Sequence, residues 1–207
     1  MLTLFHAPWS RSGRIVWLLE EIGADYDIRY VDIYRAMSGA GARDAANLHP
    51  DGKVPALLHD DALVTESAAV ALYLTDLHPN ANLGAPVGSP ERAAYVTWLA
   101  WTAGEMEPAF WGKINGTAET DPDAKKRYEA AVARLLAALE KGPYLMAERF
   151  TAVDVMIASA LAWGREYVPE SDLIDAYLER VSARPANARA TEKDGTPPAE
   201  AIAAQAA

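Results

Sequence analysis

A nine-residue segment in the first third of the chain reads His49-Pro50-Asp51-Gly52-Lys53-Val54-Pro55-Ala56-Leu57. The Pro-Asp-Gly run predicts a turn, and the residue before a proline is driven away from helical geometry into an extended conformation. Pro55 has no N–H, and the Val54-Pro55 bond is of the type that tolerates the cis form. The segment therefore predicts a rigid, extended corner at Val54, whose backbone N–H and C=O groups face a partner outside the fold.

A second motif follows after a short gap and reads Thr65-Glu66-Ser67-Ala68-Ala69-Val70. It predicts a helix that opens with a carboxylate, a hydroxyl and unpaired N–H groups, which together favour a carboxylate ligand. With the corner at Val54, it predicts a pocket for a small peptide-like molecule held by its backbone and both ionic ends. Taken singly, the same residues allow plainer roles: Pro55 as a turn former, Ser67 as a helix cap and Glu66 as a first-turn acid.

The composition limits the classes of protein that this chain can represent. Its 207 residues, 51% of them hydrophobic, suffice for one large domain or two small ones. A formal net charge of −10 disfavours nucleic-acid binding, and the lack of cysteine excludes disulfides, thiolate metal sites and a cysteine nucleophile. The first residues do not resemble a signal peptide, and no apolar run reaches the ~20 residues of a membrane span, so we expect a cytoplasmic protein without membrane contacts.

The pattern of elements changes near the middle of the chain. Short apolar strands alternate with helices over 1–79, which predicts a small α/β domain, with 34–47 as a loop plus a weak helix. Pro79-Asn80-Ala81-Asn82-Leu83-Gly84-Ala85-Pro86 predicts a linker. Helical signals then fill 88–207, which predicts an all-helical second domain.

Three helix starts and one weak end mark this second domain. Ser89-Pro90 and Asp121-Pro122 each place a capping side chain before a proline, and Thr151 with Asp154 forms a capping box with Asp in place of Glu. From Thr191 onward the chain is rich in proline and alanine, and we expect it to fray.

The chain resembles the cytosolic glutathione S-transferase family over nearly its whole length, and is most similar to bacterial members with a serine-type active site. The residues that carry the resemblance are Ser10-Arg11-Ser12-Gly13-Arg14-Ile15-Val16-Trp17, Gly52-Lys53-Val54-Pro55-Ala56-Leu57, Thr65-Glu66-Ser67-Ala68-Ala69-Val70-Ala71-Leu72-Tyr73-Leu74 and Phe150-Thr151-Ala152-Val153-Asp154. The resemblance implies the glutathione transferase fold: an α/β thioredoxin-like N-terminal domain, an all-α C-terminal domain and a homodimer.

The resemblance also implies how glutathione, the co-substrate, is bound. Val54, ahead of the family's cis proline Pro55, pairs its backbone with the cysteinyl part of the peptide. Ser67 holds the γ-glutamyl carboxylate, Glu66 faces the γ-glutamyl ammonium, and Lys53 approaches the glycyl carboxylate. A lysine beside an acidic peptide is a plausible counter-charge in a chain of net charge −10.

In serine-type classes, the catalytic hydroxyl lies four residues before the helix arginine, Arg14, which indicates Ser10. A hydroxyl that donates to sulfur beside a positive helix start favours the thiolate over a thiol whose free pKa is about 8.5. Ser12 is the second candidate, or else the helix cap, and Arg11 is the third. Trp9 departs from the small residue often found beside this serine.

The second substrate is not defined by the sequence. The resemblance implies an electrophile pocket where two domains meet, with Trp9, Trp101 and Trp111 as candidates, and Glu105 as an acid that reaches glutathione across a dimer. The same aromatic side chains also suit an ordinary core. Isomerase, dehalogenase and ether-cleaving enzymes that use glutathione, and a non-catalytic binding module, remain alternatives to a transferase. The histidines have no metal-ligand spacing, so no metal is expected.

Overall fold

The structure is a computed structural model that describes residues 1–195. The chain divides into two units, one formed by Met1–Leu74 together with the helix Pro185–Asp194, and the other by Thr75–Arg184. This division differs from the sequence-based boundaries of 1–79 and 88–207, because the helix Pro185–Asp194 returns to the first unit.

The first unit is built on one mixed sheet of four strands. The strand order is β2-β1-β3-β4, with β1 parallel to β2 and the other neighbours antiparallel. One helix follows the first strand and a second helix follows the fourth strand. A third helix comes from the other end of the described chain. The elements are β1 (Leu2–His6), α1 (Gly13–Ile22), β2 (Tyr26–Tyr30), β3 (Ala56–His59), β4 (Ala62–Thr65), α2 (Ser67–Leu77) and α9 (Pro185–Asp194).

The core of this unit lies where β1, β3 and α1 pack their apolar side chains. Leu4, Phe5 and Leu57 on the strands and Ile15 and Leu18 on α1 are all essentially excluded from solvent. The helix face follows the 3.6-residue period that its sequence shows. The predicted α/β order is thereby confirmed.

The loop between β2 and β3 contains no helix within 34–47, so the weak helix predicted there is wrong. Asp32 and Asp44 explain the difference, because their carboxylates accept backbone N–H groups, from Ala42 at 2.8 Å and Ala46 at 2.7 Å. Aspartate side chains that bond to nearby N–H groups stabilise turns at the expense of helices.

Helix α9 packs on α1 through a charged cluster around a buried carboxylate, Glu20. Arg189 Nε donates to Glu20 Oε2 at 2.9 Å, and Lys193 Nζ and Tyr26 Oη donate to Oε1 at 2.5 and 2.8 Å. The fraying predicted from Thr191 is therefore wrong as far as Asp194, the last residue of this helix. Residues 196–207 of that predicted segment lie outside the described residues.

The second unit is helical throughout its described elements, as the sequence predicts. They are α3 (Arg92–Trp101), a π-helical turn (Thr102–Met106), α4 (Glu107–Ile114), α5 (Thr117–Thr120), α6 (Pro122–Leu139), α7 (Ala152–Trp163) and α8 (Asp172–Ser182), with short 3₁₀ turns at Pro79–Ala81 and Arg165–Tyr167. Among residues 1–195, no helix is long and apolar enough to cross a membrane.

The segment predicted as a linker is part of this unit's packing. Leu83 and Ala85 are buried, and the Leu83 carbonyl accepts the Ala152 N–H at 2.8 Å. The helix start predicted at Ser89 is also wrong, since α3 begins at Arg92 without a side-chain cap. The sequence rule found the polar residue and the proline but not the extra turn that precedes the helix.

The other two predicted helix starts are confirmed. Asp121 Oδ1 accepts the Asp123 N–H at 2.9 Å at the start of α6. At the start of α7, Thr151 Oγ1 accepts the Val153 N–H at 3.3 Å and Asp154 Oδ2 accepts the Thr151 N–H at 2.8 Å. Burial raises the pKa of the Asp154 carboxyl to about 6, and its hydrogen bonds oppose that rise.

Candidate functional site

The turn between β1 and α1 carries the three candidate catalytic residues in three different environments. Ser12 is fully buried, Ser10 is partly buried, and Arg11 is exposed. Ser12 stands at the cap position of α1, but its hydroxyl does not cap that helix and instead accepts the Ala7 N–H at 3.2 Å. The capping role considered for the Ser12 side chain is therefore wrong. Ser10 is the serine with both a hydroxyl near the start of α1 and exposed surface.

Hydrogen bonds link both serines to a buried histidine, His6. The His6 Nε2 atom lies 2.9 Å from the Asp194 backbone carbonyl, which can only accept, so this nitrogen carries the hydrogen. Burial lowers the pKa of His6, an effect that Arg35 reinforces and Asp194 opposes. The neutral ring then accepts through Nδ1 from the Ser12 hydroxyl, at 2.8 Å.

This arrangement fixes the direction of the bonds between the serines. The Ser12 hydroxyl hydrogen has two acceptors, His6 Nδ1 at 2.8 Å and the Ala7 carbonyl at 3.3 Å, and the shorter bond to His6 is favoured. Ser12 Oγ then acts as an acceptor toward Ser10 Oγ, 2.8 Å away. The hydroxyl hydrogen of Ser10 has a second inward acceptor, the Ala7 carbonyl at 2.7 Å. To donate to a ligand, Ser10 must give up one of these inward bonds.

The backbone that presents Ser10 is held in an uncommon conformation. Trp9 has φ 54°, in the left-handed region that is unfavourable for a bulky residue. The Trp9 N–H donates to Asp194 Oδ2 at 3.1 Å, and Arg35 Nη2 donates to the Pro8 carbonyl at 2.8 Å. A Cβ on Gly13 would lie 2.7 Å from Asp194 Oδ1, so the carboxylate approaches the start of α1 more closely than a residue with a Cβ would allow without a shift. The turn is thus held from two sides.

The predicted peptide-binding corner has the form expected from its sequence. The Val54-Pro55 bond is cis and both residues are buried. Among residues 1–195, no hydrogen bond joins the Val54 N–H or C=O to another group. Asn47 Nδ2 donates to the neighbouring Lys53 carbonyl at 2.9 Å and so supports the approach to the corner.

Helix α2 begins just after β4. Strand β4 pairs with β3, and β3 begins at Ala56, next to the Val54-Pro55 corner. Glu66 has φ 67°, and its side chain is exposed, while Ser67 is partly buried as the first residue of the helix. The first described helical bond runs from the Val70 N–H to the Glu66 carbonyl at 2.9 Å. The N–H groups before Val70 therefore have no acceptor within the helix, which is the usual condition of a helix start.

Lys53 is the predicted counter-charge for a carboxylate ligand, and its side chain is mostly exposed. Its Nζ atom lies 3.7 Å from Asp51 Oδ2. An exposed pair at this distance contributes little to stability, so Lys53 keeps the freedom to turn toward another anion.

The candidates for a second substrate lie in different units. Trp9 is 42% exposed in the first unit, and Trp111 on α4 is 43% exposed in the second. Trp101 ends α3 with its ring 4.4 Å below the Arg134 guanidinium and edge-on to Trp98, which supports a packing role. Glu105 is exposed within the π-helical turn.

Three residues at the β1–α1 turn were not singled out as functional from the sequence. His6 was considered only as one of the histidines without metal-ligand spacing, and it is buried with hydrogen bonds to Ser12 and Asp194. Arg35 comes from the loop after β2 and Asp194 from the end of α9. Neither has a local sequence signal, because their contacts with the turn join residues far apart in the chain. Within the described part of the chain, no cluster of three metal-ligating side chains occurs.

The fold and the two helix starts define a class of protein: a thioredoxin-like unit with a cis-proline corner, joined to a helical unit. Residues 1–76 match the family model of the glutathione S-transferase N-terminal domain, and residues 94–185 match that of the C-terminal domain. The chain is 30% identical to glutathione S-transferase GstA of Escherichia coli O157:H7, over 89% of this chain and 94% of that protein. The chain belongs to the glutathione S-transferase family.

Two further similarities bear on the chemistry. The chain is 29% identical to the disulfide-bond oxidoreductase YfcG of Escherichia coli K12, over 93% of this chain and 95% of that protein. A solved structure of a sphingomonad glutathione S-transferase complexed with glutathione superposes with a TM-score of 0.78 at 25% identity, over 93% of this chain and 98% of that one. These relatives support the transferase fold for the whole described chain.

Proposed function

We propose that this protein binds glutathione and conjugates it, through its sulfur, to small, apolar electrophiles. The observation that carries the proposal is the Val54 corner, whose backbone groups have no partner among residues 1–195 and match the two hydrogen bonds of an extended peptide. The open N–H groups at the start of α2, with Glu66 and Ser67, suit the carboxylate and ammonium of an amino-acid end. Lys53 adds a mobile cation for a second carboxylate.

Ser10 has the catalytic role in this proposal. The bound thiol loses its proton to solvent, and Ser10 donates a hydrogen bond to the sulfur near the positive start of α1. Each unit by which the thiol pKa falls corresponds to about 1.36 kcal/mol in favour of the thiolate. The thiolate then forms a new S–C bond with the electrophile, and the leaving group departs with the electron pair of the bond that breaks.

The same bound thiolate suits a disulfide as its electrophile. In that case, sulfur attacks sulfur, and the released thiolate takes a proton from solvent. The protein has no cysteine, so both thiols of such an exchange come from glutathione and the substrate. The similarity to a disulfide-bond oxidoreductase makes this the second candidate activity. We further propose a homodimer, as the family resemblance implies.

Calorimetry with glutathione tests the binding site. In a Glu66→Ala/Ser67→Ala double variant, we expect the dissociation constant to rise at least about tenfold, or about 1.4 kcal/mol. Asp61→Ala removes an exposed carboxylate from the β3–β4 turn of the same unit, and it should leave the affinity unchanged. An unchanged affinity in the double variant, with a native circular dichroism spectrum, would show that the site is elsewhere. Turnover of alkyl halide and disulfide substrates then separates the two activities.

A further inference from the structure

Asp194 contacts the β1–α1 turn through both its backbone and its side chain. Its carbonyl accepts the His6 Nε2–H at 2.9 Å, and its Oδ2 atom accepts the Trp9 N–H at 3.1 Å. Its other carboxylate oxygen lies 3.5 Å from His6 Nε2. Burial raises the pKa of the Asp194 carboxyl, which the Trp9 N–H and the neighbouring His6 and Arg35 oppose. The residue is therefore a built part of the turn and not a surface charge near it.

Both contacts of Asp194 lead to Ser10 by separate routes. Trp9 is the residue before Ser10, and its left-handed backbone would relax without a partner for its N–H. His6 takes the hydroxyl hydrogen of Ser12, and Ser12 in turn accepts from Ser10. One route fixes the backbone of Ser10, and the other holds its hydroxyl oxygen beside Ser12 until a ligand accepts the hydroxyl hydrogen.

The position of Asp194 is itself fixed by the packing of α9. Arg189 and Lys193 on this helix both bond to Glu20 on α1, within 3 Å. Asp194 follows directly after them, at the end of the helix that faces the β1–α1 turn. Because α9 is anchored on the same helix that Ser10 precedes, Asp194 and Ser10 share one rigid frame.

The geometry points to Asp194 as a positioning residue that holds the Ser10 hydroxyl where it meets the sulfur of the bound thiol. This inference rests on the proposed function, and it adds a residue from α9 to a site otherwise formed by the first 70 residues. Asp194 does not touch the ligand in this arrangement; it acts through the Trp9 peptide and through His6.

Three single variants separate the geometry of Asp194 from its charge. Asp194→Asn keeps an oxygen that accepts the Trp9 N–H, so turnover should stay within about twofold of the parent. Asp194→Ala removes that oxygen, and we expect turnover to fall about tenfold while the calorimetric affinity for glutathione is retained. Glu192→Ala removes an exposed carboxylate from the same helix and should change neither quantity. A result in which Asn and Ala behave alike would overturn the inference.

A double-mutant cycle with Ser10→Ala distinguishes positioning from general stability. If Asp194 acts through Ser10, then Asp194→Ala should have no further effect on turnover in a Ser10→Ala background. The pH titration of the bound thiol, followed by thiolate absorbance, should shift upward in each single variant and no further in the double variant. Additive effects on either quantity would mean that Asp194 acts independently of Ser10, and the inference would be overturned.

Gly13→Ala provides a test that leaves Asp194 in place. The added Cβ would lie 2.7 Å from Asp194 Oδ1, so the carboxylate must shift. Where that shift breaks the bond from the Trp9 N–H to Oδ2, turnover and thiol titration should move to those of Asp194→Ala. Full activity in a Gly13→Ala protein whose crystal structure shows the bond from the Trp9 N–H to Asp194 broken would contradict the inference. If the parent protein fails to bind glutathione, both this inference and the proposed function fall. If Ser10→Ala lowers turnover but the Asp194 variants do not, this inference alone is overturned.

Discussion

The first unit has two helix starts that each follow a residue with left-handed backbone and that differ in hydrogen bonding. Trp9 before α1 and Glu66 before α2 both adopt left-handed φ angles, of 54° and 67°. At α1, the polar groups of the turn are paired with one another, with Arg35 and with Asp194. At α2, no hydrogen bond or ion pair involves the Glu66 side chain within residues 1–195.

Under the proposed function, the difference corresponds to two ways of preparing a site for a ligand. The open start at α2 offers groups that gain a partner when the ligand arrives, so it favours binding. The closed start at α1 gains a bond to the ligand only by releasing an internal one, so its net contribution to ground-state binding is small. Its contribution grows where charge on the sulfur strengthens the new bond, which is the condition for catalysis.

Among the variants that test this comparison, Ser10→Ala should have the largest effect. Turnover should fall about ten- to a hundredfold, because a hydrogen-bond donor to the developing charge is lost. The affinity for glutathione should change much less, since Ser10 exchanges one bond for another on binding. Steady-state kinetics and calorimetry on the same preparation measure both quantities.

Ser12→Ala is the matched control for this experiment. It leaves the buried His6 Nδ1 without its donor and should lower the melting temperature, and it should shift the thiol titration less than Ser10→Ala because Ser12 acts only through Ser10. If Ser12→Ala shifts the thiol titration and Ser10→Ala does not, then Ser12 is the catalytic hydroxyl. If neither variant shifts the titration, then Arg11 or a backbone N–H stabilises the thiolate, and neither Ser10 nor Ser12 is the catalytic residue.

The start of α7 is a third case, in which a capping box pairs the polar groups internally. A variant there measures how much this pairing contributes to the free energy of unfolding when no ligand is involved. Thr151→Ala removes a buried cap and should lower the free energy of unfolding by about 0.5–2 kcal/mol. Glutathione affinity and turnover should stay at parent values, since the capping box lies within the second unit. Chemical denaturation measures the loss, and Thr151→Ser, which keeps the hydroxyl, should recover most of it. A loss of binding at unchanged stability would place Thr151 in the site.

The smallest effect on glutathione affinity is expected for Lys53→Ala, just before the Val54 corner. Its side chain is 70% exposed and already lies near Asp51, so its contribution to binding an anionic peptide is largely screened. We expect the dissociation constant to rise about two- to threefold at low salt and to match the parent at high salt. A tenfold loss that persists at high salt would show that Lys53 makes a desolvated contact.

Local patterns in the sequence predict the parts of the fold that local chemistry determines. The apolar period of α1 and the Thr151 capping box need only neighbours within a few residues, and the structure confirms both of them. The Val54 corner and the start of α2 belong to this group as well, because a proline and a short motif determine them.

The contacts that close the start of α1 could not be predicted from local sequence patterns. A serine before a helix is normally its cap, but at Ser12 a buried histidine supplies a better partner for the hydroxyl. Helix α9 has a weak signal because it buries small side chains, Ala186 and Ala190, and is otherwise polar. Its anchorage depends on Glu20, which lies more than 160 positions earlier in the chain. Contacts of that range leave no periodicity to read.

The return of α9 to the first unit has a consequence for biosynthesis. The ribosome delivers the sheet, α1 and α2 early, but the helix that covers Glu20 and reaches Trp9 emerges only after Thr75–Arg184 has been translated. At roughly 5–20 residues per second, that interval is on the order of ten seconds. For that time the nascent first unit carries an uncompensated carboxylate and an unrestrained Trp9–Ser10 peptide. The earliest segment to be synthesised is thus among the last to be completed.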